Sequence, residues 1–80
     1  MTIQEILASL PDHWTVQDVL AKWLGTDLGQ CHYGPHTIWI KRTLKGEQRR
    51  ETLAHEIAHA RTPGAGHGKV WQTEYLRLIS

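Results

Sequence analysis

His55-Glu56-Ile57-Ala58-His59-Ala60-Arg61-Thr62-Pro63-Gly64-Ala65-Gly66-His67 is the stretch on which the reading of this chain turns. Glu47 to Arg61 is rich in helix formers and places Leu53 and Ile57 one turn apart, which predicts a helix. Within it His55 and His59 are four residues apart, so they differ by about 40° around the axis and by one turn of rise, and both imidazoles can converge on one point. Glu56 projects from the flank of that face. Pro63 lacks the amide donor, and Gly64 and Gly66 favour conformations that other residues avoid. The chain must turn there, and the bend can bring His67 back to the exposed face of the helix.

This arrangement is the His-Glu-x-x-His pattern of zinc metallopeptidases, in which the two histidines are ligands and the glutamate is a general base. A catalytic zinc takes three protein ligands and leaves the fourth position to water, whose pKa falls to about 7. His67 is the best candidate for the third ligand. Glu74, on the helix that follows, is the alternative. With six histidines and five glutamates in 80 positions, the pattern is expected by chance only about 0.03 times per chain. The composition therefore does not explain it away.

Outward from this centre, Thr2-Ile3-Gln4-Glu5 reads as a capping box that opens a short helix with Ile3, Ile6, Leu7 and Leu10 on one face, stopped by Pro11. Thr15-Val16-Gln17-Asp18 repeats the device and predicts a second helix, with Val16, Val19, Leu20, Trp23 and Leu24 along one side and Gly25 ending it. Two β-prone runs, Gln30 to Tyr33 and Thr37 to Lys41, flank Gly34-Pro35-His36 and predict a hairpin. A last helix is expected from about Gly68 to Ile79, with Val70, Trp71, Tyr75, Leu78 and Ile79 as its apolar stripe. The expected class is α+β, with three to four helices packed on a small antiparallel sheet or hairpin.

Eighty residues are expected to form one domain, residues 1–80, with a thin core that a bound metal would help to stabilise. Apolar residues are 40% of the chain and charged residues 21%, the balance of a folded globular protein and not of a disordered one. The net charge of +1 calls for neither a polyanionic nor a membrane partner. No run approaches the roughly 18 apolar residues that span a bilayer. The first residues lack a secretory signal and Cys31 has no internal partner, so the default expectation is a cytoplasmic protein.

The chain resembles the SprT-like zinc metallopeptidases through His55-Glu56-Ile57-Ala58-His59-Ala60, through Thr62-Pro63-Gly64-Ala65-Gly66-His67-Gly68, and through Trp71. Upstream, Leu28-Gly29-Gln30-Cys31-His32-Tyr33 and His36-Thr37-Ile38-Trp39-Ile40 look like the two strands that precede the active-site helix of that family. The resemblance implies a minimal zincin fold, His55, His59 and His67 as ligands to one Zn2+ ion, and Glu56 as the catalytic base. The preference for His67 over Glu74 rests largely on it. In the metzincin pattern, glycine and histidine stand three and six residues after the second motif histidine; here those positions are Thr62 and Ala65, which excludes that family.

The activity expected is hydrolysis of a protein or peptide substrate by water that Glu56 deprotonates beside the metal. The rivals are a zinc-binding domain without peptidase activity, acting in protein interaction or regulation, and a DNA-associated module. The second rests only on the basic group Lys41, Arg42, Lys45, Arg49 and Arg50, read first as a solvated face. Thr37 to Lys41 reads equally as an ordinary structural strand or, if a sheet edge near the cleft, as one that can align an extended peptide. Tyr33, His32, His36 and Tyr75 can each donate to an oxyanion. Trp14, Trp23, Trp39 and Trp71 are expected to supply bulk to the core, Cys31 to fill space and His13 to lie in a loop.

Overall fold

The computed structural model describes residues 1–80, and its largest apolar contacts gather around one helix. That helix, α2 (Gly46–Arg61), buries Leu53, Ala54, Ile57, Ala58 and Ala60, and it packs against every other layer: α1 (Ile3–Ala8), β2 (Gly29–His32), β3 (Thr37–Lys41) and α3 (Lys69–Ile79). Alanines at 54, 58 and 60 let these neighbours approach closely. Ile6 from α1, Ile38 and Ile40 from β3, and Leu78 from α3 are fully buried against it.

The first helix starts where its sequence predicts but ends at Ala8, before Leu10, and leaves Leu7 exposed. Thr2 and Glu5 exchange side-chain to backbone hydrogen bonds, a reciprocal cap that satisfies two amides otherwise left bare at the helix start. The second capping signature does not make a helix. Thr15–Val19 is a strand, β1, followed only by a single 3-10 turn at Ala21–Trp23. β1 pairs in parallel with β3, Thr15 opposite Thr37 and Val19 opposite Lys41, and its β-branched residues suit a pleated ladder better than a helical turn.

β2 and β3 form the expected antiparallel hairpin, Gly29 opposite Ile40 and His32 opposite Thr37, closed by a turn in which His36 adopts a left-handed conformation at φ 53°. With β1 added, the sheet is mixed and not antiparallel, in the order β1-β3-β2. β3 is therefore the central strand, so of the two readings of Thr37 to Lys41 the ordinary structural strand holds and the peptide-aligning edge does not. The edge nearest α2's histidines is β2 instead.

The α+β class stands, with three helices on a three-stranded sheet, consistent with a minimal zincin-like fold. Two expectations about packing fail. Val70 is 65% exposed, outside the stripe that Trp71 and Leu78 bury. Trp23 is 58% exposed and meets Trp39 edge to face on the outer side of the sheet, so of the four tryptophans only Trp71 is buried. No helix is long and apolar enough to cross a membrane.

Candidate metal centre

α2 carries His55, Glu56 and His59 on the side turned toward β2 and the start of α3, and the helical spacing does what geometry requires of it: the two imidazoles lie with ring centroids 5.0 Å apart. Beyond the helix, Thr62 closes the last turn, its hydroxyl donating to the Ala58 carbonyl at 2.7 Å. Two tight turns follow, with the Ala65 amide on the Thr62 carbonyl and the Gly68 amide on the Ala65 carbonyl, and Gly64 and Gly66 take left-handed φ of 83° and 57°. This double reversal returns His67 to the helix face. Its Nε2 lies 3.0 Å from His59 Nε2 and 3.3 Å from His55 Nε2, and one ligand atom from each ring falls within 4.8 Å of the others.

A fit to a metal can be tested on these distances. Bonds of about 2.0–2.1 Å from zinc to nitrogen at a tetrahedral angle place ligand nitrogens about 3.3 Å apart, close to the two contacts at His67. The donor chemistry agrees. Burial, then His55 and His67 alongside, push the His59 imidazole down to about 4, and burial followed by His67 lowers His55. Both shifts favour the neutral ring, whose lone pair can coordinate. The three histidines can hold a metal ion.

Glu74, the alternative third ligand, does not approach. Arg61 donates to its Oε1 at 3.0 Å, and Arg77 holds the same oxygen, so its carboxylate stabilises the α2–α3 contact on another face. Arg61 also donates to the Ser9 carbonyl and so ties α1 into the same network.

Glu56 is 7% exposed and makes no hydrogen bond; the nearest ring nitrogen, His55 Nε2, lies 3.9 Å from its Oε2. Burial, then the charge of Asp27, push its carboxyl up to about 7. A carboxyl with that affinity for protons, beside the nitrogens that can bind a cation, is suited to take and return a proton at neutral pH.

The floor of the histidine cluster is Trp71, whose indole packs 4.7–5.2 Å from all three imidazoles. Tyr33 reaches α2 from the hairpin, its hydroxyl donating to the His59 carbonyl at 3.0 Å. That bond uses the proton an oxyanion would need. His32 pairs with Gln30 and His36 stacks on Trp14, whereas Tyr75 lines the cleft. Cys31 faces the cleft as a thiol, pushed up to about 11 by burial and then by Glu56.

The cleft has two limbs that share Asp27, Gly29, His55 and Glu56. One, of about 570 Å³, contains the three histidines, Gly64 and Gly66, and runs along β2 past Gln30, Cys31 and His32. The other, of about 410 Å³, lies between Thr26 to Gly29 and the Glu51 side of α2. The sequence reading missed Asp27 and Glu51. Neither stands at a motif spacing, and Asp27 reaches Glu56 only because β2 docks on α2.

The model of the SprT-like family matches residues 4–79. The chain belongs to the SprT-like family. The match extends the resemblance from the strands and motif helix to all but the first residue of α1 and to the end of α3. No curated protein and no solved structure matches the chain.

Proposed function

We propose that this SprT-like chain is a zinc-dependent peptidase in which His55, His59 and His67 hold one Zn2+ ion and Glu56 is the general base. The observation that carries the proposal is the meeting of three imidazole nitrogens, at 3.0 and 3.3 Å around His67, beside a buried carboxyl without a hydrogen-bond partner. Zinc, when bound there, supplies Lewis-acid polarisation of a carbonyl and lowers the pKa of water to about 7. Glu56 then accepts a proton from the attacking water and delivers it to the leaving nitrogen, so no covalent intermediate on the chain is needed.

An extended substrate can lie along β2, the strand that borders the cleft and has β3 on only one side. Strand addition there would present a peptide bond to the histidines in a fixed register. Of the basic group before the motif helix, Arg49 pairs with Asp18, and Arg50 is engaged with Glu47 and the carbonyls of Met1 and Ile79.

Metal content and cleavage of casein and of unstructured peptides, measured for the wild type and for Glu56→Gln, test the proposal. Both proteins are expected to carry one zinc per chain, and only the wild type to cleave. Zinc in both with cleavage in neither would leave a metal-binding domain without peptidase activity.

A further inference from the structure

Both limbs of the cleft are bordered by Asp27, His55 and Glu56. The limb beyond Glu56 adds the carboxylate of Glu51, the hydroxyls of Thr26 and Thr52 and the ring of Tyr75, with no lysine or arginine among its lining residues. Neither Asp27 nor Glu51 enters an ion pair. Arg50, the basic residue next to Glu51, is committed to Glu47 and to two backbone carbonyls. Asp27 accepts a hydrogen bond from Gln30 on Oδ2, which leaves its other oxygen open. Glu56, more than nine-tenths buried and without a hydrogen-bond partner, opens into the same space.

We propose that this limb is a specificity subsite that admits a lysine or arginine side chain next to the peptide bond to be cut, with Asp27 and Glu51 receiving its charge. The inference rests on the peptidase reading above and goes beyond it by naming a substrate class. Tyr75, stacked on Trp71 with rings 5.1 Å apart and 6° from parallel, forms a flat wall along which the methylene stem can lie while the cationic head reaches the carboxylates. At about 410 Å³ the limb holds one such side chain with water. A glutamate of the substrate would face like charge and an alanine would gain nothing.

Internally quenched peptides that carry Lys, Ala or Glu at one or the other position flanking the scissile bond test this with the zinc-loaded protein. Cleavage (kcat/KM) and binding (fluorescence anisotropy) are both measured for the wild type, Glu51→Lys and Asp27→Asn, with metal content and melting temperature as controls for folding. The expected preference at one flanking position is about tenfold for Lys over Ala, the size of one or two partly exposed ion pairs, with Glu disfavoured further. Glu51→Lys should reverse the order, and Asp27→Asn, which keeps the side-chain shape should the reversal variant misfold, should flatten it. Binding that follows the same order without cleavage would uphold the subsite and refute the peptidase reading. Equal cleavage or binding of all three peptides, an order that neither variant changes, or no binding at all would overturn the subsite.

Discussion

The indole nitrogen of Trp71 donates to the backbone carbonyl of His55 at 3.2 Å, joining α3 to α2 at the first histidine of the motif. The same side chain packs against all three imidazoles, so one residue both fixes the helix–helix contact and limits how the rings can rotate. Trp71→Phe keeps a ring in the core but removes the donor. It is expected to cost about 1–3 kcal/mol of stability, from the lost hydrogen bond and the space left behind, and to weaken zinc binding about tenfold, as loss of supporting contacts around a metal site commonly does. Denaturant unfolding and zinc titration read the two effects separately; unchanged zinc affinity would confine Trp71 to packing.

Glu56 makes the apoprotein's stability depend on pH in a direction that can be stated. Its carboxyl is raised from the ordinary 4.5 to about 7 in the fold, by burial and then by Asp27, so the folded state holds a proton that the unfolded chain has released. The stabilisation from that proton is fully present below pH 4.5 and is lost as pH rises through about 7. Glu56→Gln, which cannot ionise, should therefore match the wild type below about pH 4 and exceed it at pH 8 by on the order of 3 kcal/mol. Urea unfolding of chelator-treated protein at both pH values gives the comparison. An equal difference at the two would mean that Glu56 is solvated in the fold.

The parts of this architecture that the sequence disclosed are those set by neighbours a few residues away. The cap at Thr2 and Glu5, the facing of His55 and His59, and the reversal at Gly64 and Gly66 all follow from local geometry, and all three are present. β1 is the counterexample. Val16, Val19, Leu20, Trp23 and Leu24 repeat at helical spacing behind a second capping signature, but the parallel ladder from Thr15–Thr37 to Val19–Lys41 decides their conformation, and its partner lies 22 residues ahead. Of the five, only Leu24 is buried. That Glu74 lies apart from the three histidines is likewise set by tertiary contacts, since Arg61 and Arg77 take its carboxylate. Asp27 and Glu51 carried no local signal; their relation to Glu56 depends on how the chain before β2 settles on α2.

Zinc should stabilise the fold, and the dependence should distinguish His67 from Glu74. A ligand at 100 times its dissociation constant adds about 2.7 kcal/mol, which for a domain of this size raises the melting temperature by about 10 °C or more. The rise is expected for the wild type and for Glu74→Ala and to be largely lost in His67→Ala. Glu74→Ala should instead lower the melting temperature with or without metal, because it frees Arg61 and Arg77 from their shared carboxylate. Thermal melts with zinc and with chelator decide the matter: a response to zinc that survives His67→Ala and disappears in Glu74→Ala would exchange their roles.

Gly29 sets how closely the edge strand approaches Glu56. A Cβ at this position would stand 3.0 Å from Thr52 Cγ2, 3.1 Å from Glu56 Cγ and 3.1 Å from the Trp39 carbonyl oxygen. The last of these belongs to the central strand, which is held on both sides by ladders and cannot give way, so the added methyl must displace β2 or the two α2 side chains. Gly29→Ala should cost about 1–3 kcal/mol, as overpacking of a close contact does. Because Glu56, the proposed base, is one of the groups displaced, the proposed peptidase activity should fall by about tenfold to a hundredfold, the effect of moving a catalytic group by less than about 1 Å. Zinc content should remain at the wild-type level, since the strand touches none of the three histidines through this residue. A variant with normal melting and normal turnover would show that β2 can slide away from α2 at no cost, and the edge strand would then have no part in holding substrate against Glu56.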